Sequence, residues 1–275
     1  MKRAVLVAFC IIVLFLLLLT TLVSAYQSGY ETTSYLAIND PVIDGKYTTM
    51  DEWWDAQLPT KLPPIDNTTT LNWRGKWTYP TDIIQHFIIE ALTDNTNDTG
   101  DYFQLCYCCA ANGGTAPQTD DVRVDYVGHS LSGLTLYKGN GTGWEKFTGW
   151  TYGVDISLQE TKSPGPLNKN PHWIIEIWVD KNKPEFDISG SGYIPWLRVA
   201  AYDASNATAG VQAWPPSSVN VPSDWGLETG VYGTIPESLT IASVVLLSSV
   251  AVVVSFYFLR KRSTIVNHSL GKLGK

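Results

Sequence analysis

The feature that constrains this chain most is an uncharged run near its C-terminal end. Residues 239–259 carry no charge and consist mostly of Val, Leu, Ile, Ala and Ser. A helix of this length can cross a hydrocarbon core of about 30 Å. Arg260-Lys261-Arg262 follows at once, and such basic residues stay on the cytoplasmic side of a membrane. The run therefore predicts a transmembrane helix with a cytoplasmic basic tail at 260–275.

The N-terminal end predicts export. Lys2 and Arg3 precede a long apolar run, and Val23-Ser24-Ala25 supplies small residues at a cleavage position. This is the pattern of a secretory signal peptide over 1–25, with an uncleaved anchor as the alternative. The expected protein is a single-pass component of the cell membrane. Its extracellular domain spans 26–234, and a short joint with the transmembrane helix covers 235–259.

The net charge of the segment between the two apolar runs is the kind expected of an extracellular domain. All 26 acidic residues lie between Tyr26 and Glu237, together with 12 of the 19 lysines and arginines, which leaves this part with a net charge of −14. A surface of this sign repels nucleic acid and anionic lipid. We therefore expect no nucleic-acid partner, and favour neutral ligands or cations.

The domain is predicted to be all-β. Short β-rich runs alternate with Asn-Gly, Gly-Gly, Ser-Gly and Pro-Gly turns, and long amphipathic helical patterns are absent from the sequence. About 210 residues with this punctuation indicate one antiparallel β-sandwich of jelly-roll type. The predicted strands cover 83–92, 101–108, 122–127, 134–138, 144–147, 152–158, 173–180 and 196–203.

The segment PVIDGKYTTMDEWWDA, residues 41–56, resembles the opening of family 9 carbohydrate-binding modules and of the wider DOMON-like sandwiches. Shorter similarities follow in DYFQLCYC, DDVRVDY, HWIIEIWVD and WPPSSVNVPSDWGLETG. The Asp-Gly step suits a turn, because Gly permits it and Asp can bond its backbone. The residues that match the opening pattern are Ile43, Asp44, Gly45, Glu52, Trp53 and Ala56.

The resemblance implies an antiparallel sandwich, often with structural calcium, that binds sugars between two facing aromatic rings. The two family positions hold Asn97-Asp98-Thr99-Gly100 and Ser217-Ser218-Val219-Asn220 here, without an aromatic residue. Tryptophans elsewhere are therefore the candidates for stacking on a carbohydrate or a cell-envelope glycan, against the alternative that they fill the core. The candidate ligand-binding residues are Trp144, Trp150, Trp214 and Trp225.

An acidic loop at residues 94–101 is the candidate metal site. Asp94, Asp98 and Asp101 could supply carboxylates to calcium, although the loop lacks the bidentate acid of an EF-hand, because that position is Cys106. The alternative is a solvated hairpin loop. Both interpretations stay open at the level of sequence.

Other functions are weaker predictions. DOMON-like relatives can hold a b-type haem with Met, Lys or His ligands, for which Met50, His86, His129 and His172 are the Met and His candidates. No nucleophile elbow surrounds Ser130, so we expect no catalytic activity. The Ile-Pro-Glu, apolar run and Arg-Lys-Arg also resemble the anchors of archaeal surface proteins, which would suit a structural or adhesion component.

Four sequons predict glycosylation at exposed loops, namely Asn67, Asn97, Asn140 and Asn206. Three cysteines fall together at Cys106, Cys108 and Cys109. Alternation along a strand places Cys106 and Cys108 on one face and Cys109 on the other face or in the turn. We expect Cys106 to be a buried thiol. A vicinal disulfide and a zinc site are the alternatives.

Overall fold

The structure is a computed structural model that describes residues 26–49, 51–63, 69–78, 84–186 and 195–231. The chain divides into two compact units, Met1–Gly230 and Val231–Lys275, and the described residues belong to the first apart from Val231. Among them, no helix combines the length and hydrophobicity needed to cross a bilayer. The predicted signal peptide, transmembrane helix and tail lie outside the described residues, as do Met50 and Asn67.

Twelve β-strands form the described fold, which confirms the all-β prediction. They are β1 Glu31–Leu36, β2 Leu71–Thr78, β3 Ile84–Ala91, β4 Tyr102–Cys108, β5 Asp121–Val127, β6 Leu134–Gly139, β7 Trp144–Lys146, β8 Ile156–Ser163, β9 His172–Asp180, β10 Trp196–Tyr202, β11 Gln212–Trp214 and β12 Gly226–Val231.

The strands join in one continuous sheet in the order β7-β6-β5-β4-β10-β12-β1-β2-β3-β9-β8, with β11 paired to β10. Neighbours in sequence pair antiparallel in β2–β3, β4–β5–β6–β7 and β8–β9. The pair β1–β2 is parallel, which departs from the purely antiparallel sheet that we expected. A long connection, residues 37–70, separates these two strands. Parallel pairing needs a connection of this length, because the chain must return to the same end of the sheet before the second strand begins.

The sheet curls so that its two halves pack against each other. Trp73 of β2 lies with its ring centroid 5.0 Å from that of Trp214 on β11, and Phe87 of β3 lies 6.0 Å from Tyr107 of β4. These pairs join strands that are not neighbours in the sheet. The inner residues of β2, β3, β4, β5, β8, β9 and β10 belong to one apolar cluster. This two-layer core agrees with the sandwich prediction.

The motif at 41–56 is a structural anchor. Backbone N–H groups of Asp44 and Gly45 both donate to Glu176 Oε2 at 2.9 Å, and Trp53 Nε1 donates to Glu176 Oε1 at 2.8 Å. Gly45 has φ +77°, and a Cβ on it would lie 2.5 Å from the backbone of Glu160. Only glycine fits there, because the left-handed backbone and the close strand both exclude a side chain.

The rest of the motif supports that anchor. Glu52 accepts hydrogen bonds from the backbone N–H groups of Val42 at 2.7 Å and Thr48 at 2.9 Å, which closes the loop on itself. Ala56 packs with Trp53 in a small buried cluster, whereas Ile43 is half-buried. The motif therefore fastens the N-terminal segment across β9.

Candidate functional site

A groove of about 440 Å³ opens where the two ends of the strand order approach each other. One wall comes from β6 and β7, and the other comes from the start of β8 and the segment that leads into it. Aromatic, aliphatic and hydroxyl-bearing side chains share the lining, together with one ammonium group. The lining residues are Ser132, Leu134, Thr135, Leu136, Lys146, Phe147, Thr148, Trp150, Tyr152 and Ile156.

Two aromatic side chains give the groove its shape. Trp150 is only 5% exposed, because its ring stacks on Phe186 at 5.8 Å and meets Phe147 edge-on at 6.1 Å. Tyr152 is 39% exposed, and its hydroxyl donates to the Leu158 carbonyl at 2.9 Å. The Tyr152 ring is therefore held in place while part of it stays open to solvent. An apolar surface with a few placed polar groups is typical of small-molecule sites.

The other predicted tryptophans occupy different places. Trp214 and Trp225 are fully buried, so neither ring has a free face for a ligand. Trp144 is half-buried and lies parallel to Trp225 at a centroid distance of 6.3 Å, with its Nε1 donating to the Val219 carbonyl at 3.2 Å. The four candidates thus do not face one another across an open cleft, and only Trp150 lines the groove.

Three exposed aromatics of the described residues were missed at the level of sequence, namely Tyr35, Trp54 and Tyr152. Trp54 is 63% exposed, although its neighbour Trp53 is buried. Tyr152 was included in a predicted strand but not as a site residue. Counting aromatics cannot separate these cases, because exposure depends on which face each segment turns to the sheet.

The acidic loop at 94–101 closes on a histidine from another turn. Gly128 and His129 both adopt positive φ, at +69° and +52°, between β5 and β6. This turn carries the His129 side chain to Asp101, whose Oδ2 lies 3.0 Å from Nε2, and to Asp94, whose Oδ2 lies 3.9 Å from the same nitrogen. One ligand atom of each of these three residues lies within 4.8 Å of the others.

The other side of the imidazole is also held. His129 Nδ1 donates to Glu160 Oε2 at 2.9 Å, and Glu160 Oε1 accepts from the Tyr126 hydroxyl at 2.6 Å. The ring stacks on Trp173 with centroids 4.0 Å apart. Burial alone would lower the pKa of His129, but its hydrogen bonds to Glu160 and Asp101 outweigh burial and raise it.

The aspartates of this cluster differ in their surroundings. Burial, and then the charge of Asp101, raises the pKa of Asp94 to about 7. Asp98 lies to one side, where its Oδ2 accepts from the Thr96 hydroxyl at 2.6 Å and its backbone N–H donates to Asp101 Oδ2 at 2.9 Å. The structure therefore brings Asp94 and Asp101 together with His129, which sequence reasoning had not connected to them.

The three cysteines follow the alternation that the sequence predicts. All three are free and buried. Cys106 and Cys108 pack with Trp196 and Trp225 on one side of β4, whereas Cys109 belongs to the main core on the other side. Burial raises the pKa of the Cys106 thiol to about 12, so this thiol is protonated and unreactive at neutral pH. In the described fold they are core residues rather than a disulfide.

The remaining histidines are occupied by neighbouring groups. His86 Nε2 lies 3.0 Å from the Thr78 hydroxyl, and burial lowers the pKa of His86 to about 3. His172 lies between Glu90 Oε2 at 3.1 Å and the Asn170 carbonyl at 2.9 Å. Each described histidine therefore has a protein partner for at least one ring nitrogen.

The described sequons lie at or near the surface. Asn97 and Asn140 are exposed and Asn206 is half-buried. Asn140 Oδ1 accepts hydrogen bonds from Thr142, which shapes the turn before β7. Glycosylation at these positions stays a prediction.

Comparisons with known proteins find similarity among solved structures only. No protein-family model matches the chain, and no curated protein matches it. Among solved structures, similarity is found to a carbohydrate binding module family 9 from Caldicellulosiruptor kristjanssonii in complex with cellotriose, at 14% identity, with 74% of this chain and 95% of that chain covered and a TM-score of 0.46. A family 9 module from the same organism in complex with glucose matches at 15% identity over 74% of this chain and 98% of that chain, with a TM-score of 0.45.

Proposed function

We propose that this chain is a membrane-anchored, non-catalytic cell-surface module that binds a neutral carbohydrate in the groove beside Trp150 and Tyr152. The observation that carries this proposal is the groove itself. It offers a partly open aromatic face in Tyr152 beside the hydroxyl groups of Ser132, Thr135 and Thr148. The apolar face of a sugar ring suits an aromatic surface, and its rim of hydroxyl groups needs hydrogen-bond partners close by.

The chemistry of the groove favours a neutral ligand. Lys146 is the charged residue in the groove lining, and the extracellular part of the chain carries a net charge of −14. Long-range repulsion from such a surface disfavours polyanions. A neutral glycan of the cell envelope is not repelled by this charge, and membrane anchoring would hold the module next to it.

The other predicted roles, which are haem binding, calcium binding and a structural role in the envelope, can be tested separately. A b-type haem would give a Soret absorption band in the purified protein. Structural calcium at Asp94, Asp98 and Asp101 would raise the unfolding temperature when calcium is added after chelation. A purely structural envelope component would bind no sugar in any assay.

The groove proposal is tested by sugar titration of the full chain in a detergent without a sugar head group. Glucose, cellotriose and isolated envelope glycans are the first probes. We expect Tyr152→Ala to weaken binding at least about tenfold, which corresponds to about 1.4 kcal/mol. Tyr152→Phe is the matched control, because it keeps the ring and removes only the hydroxyl bond to the Leu158 carbonyl.

Trp54→Ala distinguishes an error in the location of the sugar site from a failure of the carbohydrate-binding proposal itself. If Trp54→Ala abolishes binding and Tyr152→Ala does not, the chain binds sugar on the exposed Trp54 surface and the groove assignment is wrong. If the folded wild-type chain binds none of the probes, the carbohydrate-binding proposal itself fails.

A further inference from the structure

The cluster of Asp94, Asp101, His129 and Glu160 is separate from the groove proposal and has chemistry of its own. Its members come from three distant segments: the loop before β4, the turn after β5, and β8. The side chains of Asp94, Asp101 and His129 are at most 3% exposed. Three carboxylates therefore converge on a single imidazole in a buried place.

The charges in this cluster do not balance. A doubly protonated imidazole offsets one of the three carboxylates. Within the described ranges, no lysine or arginine forms an ion pair with Asp94, Asp101 or Glu160, because the ion pairs found there involve His129 alone. Buried carboxylates in excess of cations are costly, so the cluster would gain free energy from a further positive charge.

One carboxylate oxygen of Asp94 faces the imidazole across the cluster. Asp94 Oδ1 accepts hydrogen bonds from the backbone N–H and the hydroxyl of Thr96. Asp94 Oδ2 takes no hydrogen bond among the described residues, and its nearest ionic partner is His129 Nε2 at 3.9 Å. This oxygen and His129 Nε2 lie 3.9 Å apart, a separation that two ligands of one metal ion can have.

The imidazole is oriented as a metal ligand. Nδ1 donates to Glu160, which fixes the ring and directs Nε2 towards Asp94 and Asp101. Metal-binding histidines usually donate their second ring N–H to a carboxylate in this way. The Tyr126 hydroxyl in turn holds Glu160, and the Trp173 ring supports the imidazole face.

We propose that Asp94 Oδ2, Asp101 Oδ2 and His129 Nε2 bind a divalent transition-metal ion, with zinc as the best fit. Ligand atoms around tetrahedral zinc lie about 3.4 Å apart, given metal–ligand distances of about 2.0–2.1 Å. The separations of 3.0 and 3.9 Å from Nε2 bracket that value. A solvent molecule would complete the coordination.

Ligand type distinguishes this ion from calcium. Calcium prefers six to eight oxygen ligands, whereas imidazole suits zinc and its neighbours in the first transition series. The proposed site also replaces Asp98 of the sequence-based calcium prediction with His129. Binding would displace the Nε2 proton, so metal uptake releases a proton.

The test is a cobalt and zinc titration of the full, untagged chain after chelation, in a zwitterionic detergent. Cobalt serves as a coloured probe, because a tetrahedral site gives intense visible bands. We expect one ion per chain, displaced by zinc. Asp94→Asn and His129→Gln should weaken uptake at least about tenfold, whereas Asp98→Asn, the matched control, should leave it unchanged. Calcium should not compete.

Several outcomes would overturn the proposal. These are no uptake by wild-type chain that gives a native near-ultraviolet dichroism spectrum, loss of binding in Asp98→Asn with displacement by calcium, or a thiolate charge-transfer band that assigns the ion to the cysteines. If His129→Gln does not fold, Glu160→Gln takes its place, because it keeps the ligands and loosens only the imidazole. Sugar binding is not needed for any of these measurements.

Discussion

Two buried acidic sites in this molecule show how the same side-chain type serves different ends. At Glu176, both oxygens accept hydrogen bonds from three N–H groups of the 44–53 segment. At Asp94, one oxygen accepts from Thr96 and the other takes no hydrogen bond among the described residues. The first carboxylate is saturated and fastens the chain, whereas the second keeps unused binding capacity beside two further carboxylates.

The substitution with the largest expected effect on the free energy of unfolding is Glu176→Ala. This change removes the acceptor of the Asp44, Gly45 and Trp53 N–H groups and leaves them unpaired in a buried place. Each orphaned group costs about 1–3 kcal/mol, so the free energy of unfolding should fall by about 3 kcal/mol or more. Denaturant titration measures it. Glu176→Gln should cost less, and a loss below about 1 kcal/mol in Glu176→Ala would show that the anchor is not structural.

A smaller effect of opposite sign is expected from Asp94→Asn. The raised pKa of about 7 means that the folded state disfavours the ionised form of Asp94. Stability from this group is therefore complete below its ordinary pKa of 3.8 and is lost as the pH rises towards 7. Without metal at pH 8, Asp94→Asn should stabilise the chain by about 1 kcal/mol, because a neutral amide avoids the cost of a buried carboxylate charge.

The pH dependence checks that sign directly. The difference in unfolding free energy between wild type and Asp94→Asn should shrink between pH 8 and pH 5, where Asp94 is protonated in the folded state. A difference that grows towards pH 5 would contradict the burial argument. The comparison must be made in chelator, because a bound ion would stabilise the wild type instead.

The smallest effect is expected at Asp98. Its carboxylate accepts from the Thr96 hydroxyl and lies to one side of the His129 cluster, and an asparagine oxygen can accept the same bond. Asp98→Asn should change the unfolding free energy by less than about 0.5 kcal/mol. A loss as large as that of Glu176→Ala would place Asp98 inside the buried network.

Local pattern in the sequence was enough to place many of the strands. The predicted runs at 101–108, 134–138 and 173–180 lie within one residue of β4, β6 and β9 at each end. The alternation that separates Cys109 from Cys106 also follows from strand period alone. The prediction at 152–158 was placed too early, because Thr151–Asp155 forms a turn held by the Asp155 carboxylate before β8 begins.

Long-range pairing could not be predicted in the same way. β2, β11 and β12 were not recognised as strands, and β1 was expected only as an entry strand somewhere in residues 26–80. Its parallel pairing with β2, after a long connection, was not predicted. The contact of His129 with the acidic loop depends on the Gly128–His129 turn and on β8, which are distant in sequence. Whether a tryptophan is exposed, as Trp54 is, or buried, as Trp214 is, depends on packing that no local pattern encodes.

The position of the groove has a consequence for folding as well as for recognition. Its walls belong to opposite ends of the strand order, so the groove exists only when the curled sheet has closed. A molecule bound there would contact both ends of the strand order and stabilise the closed form of the sheet. Its affinity would add to the stability of the whole sheet by mass action.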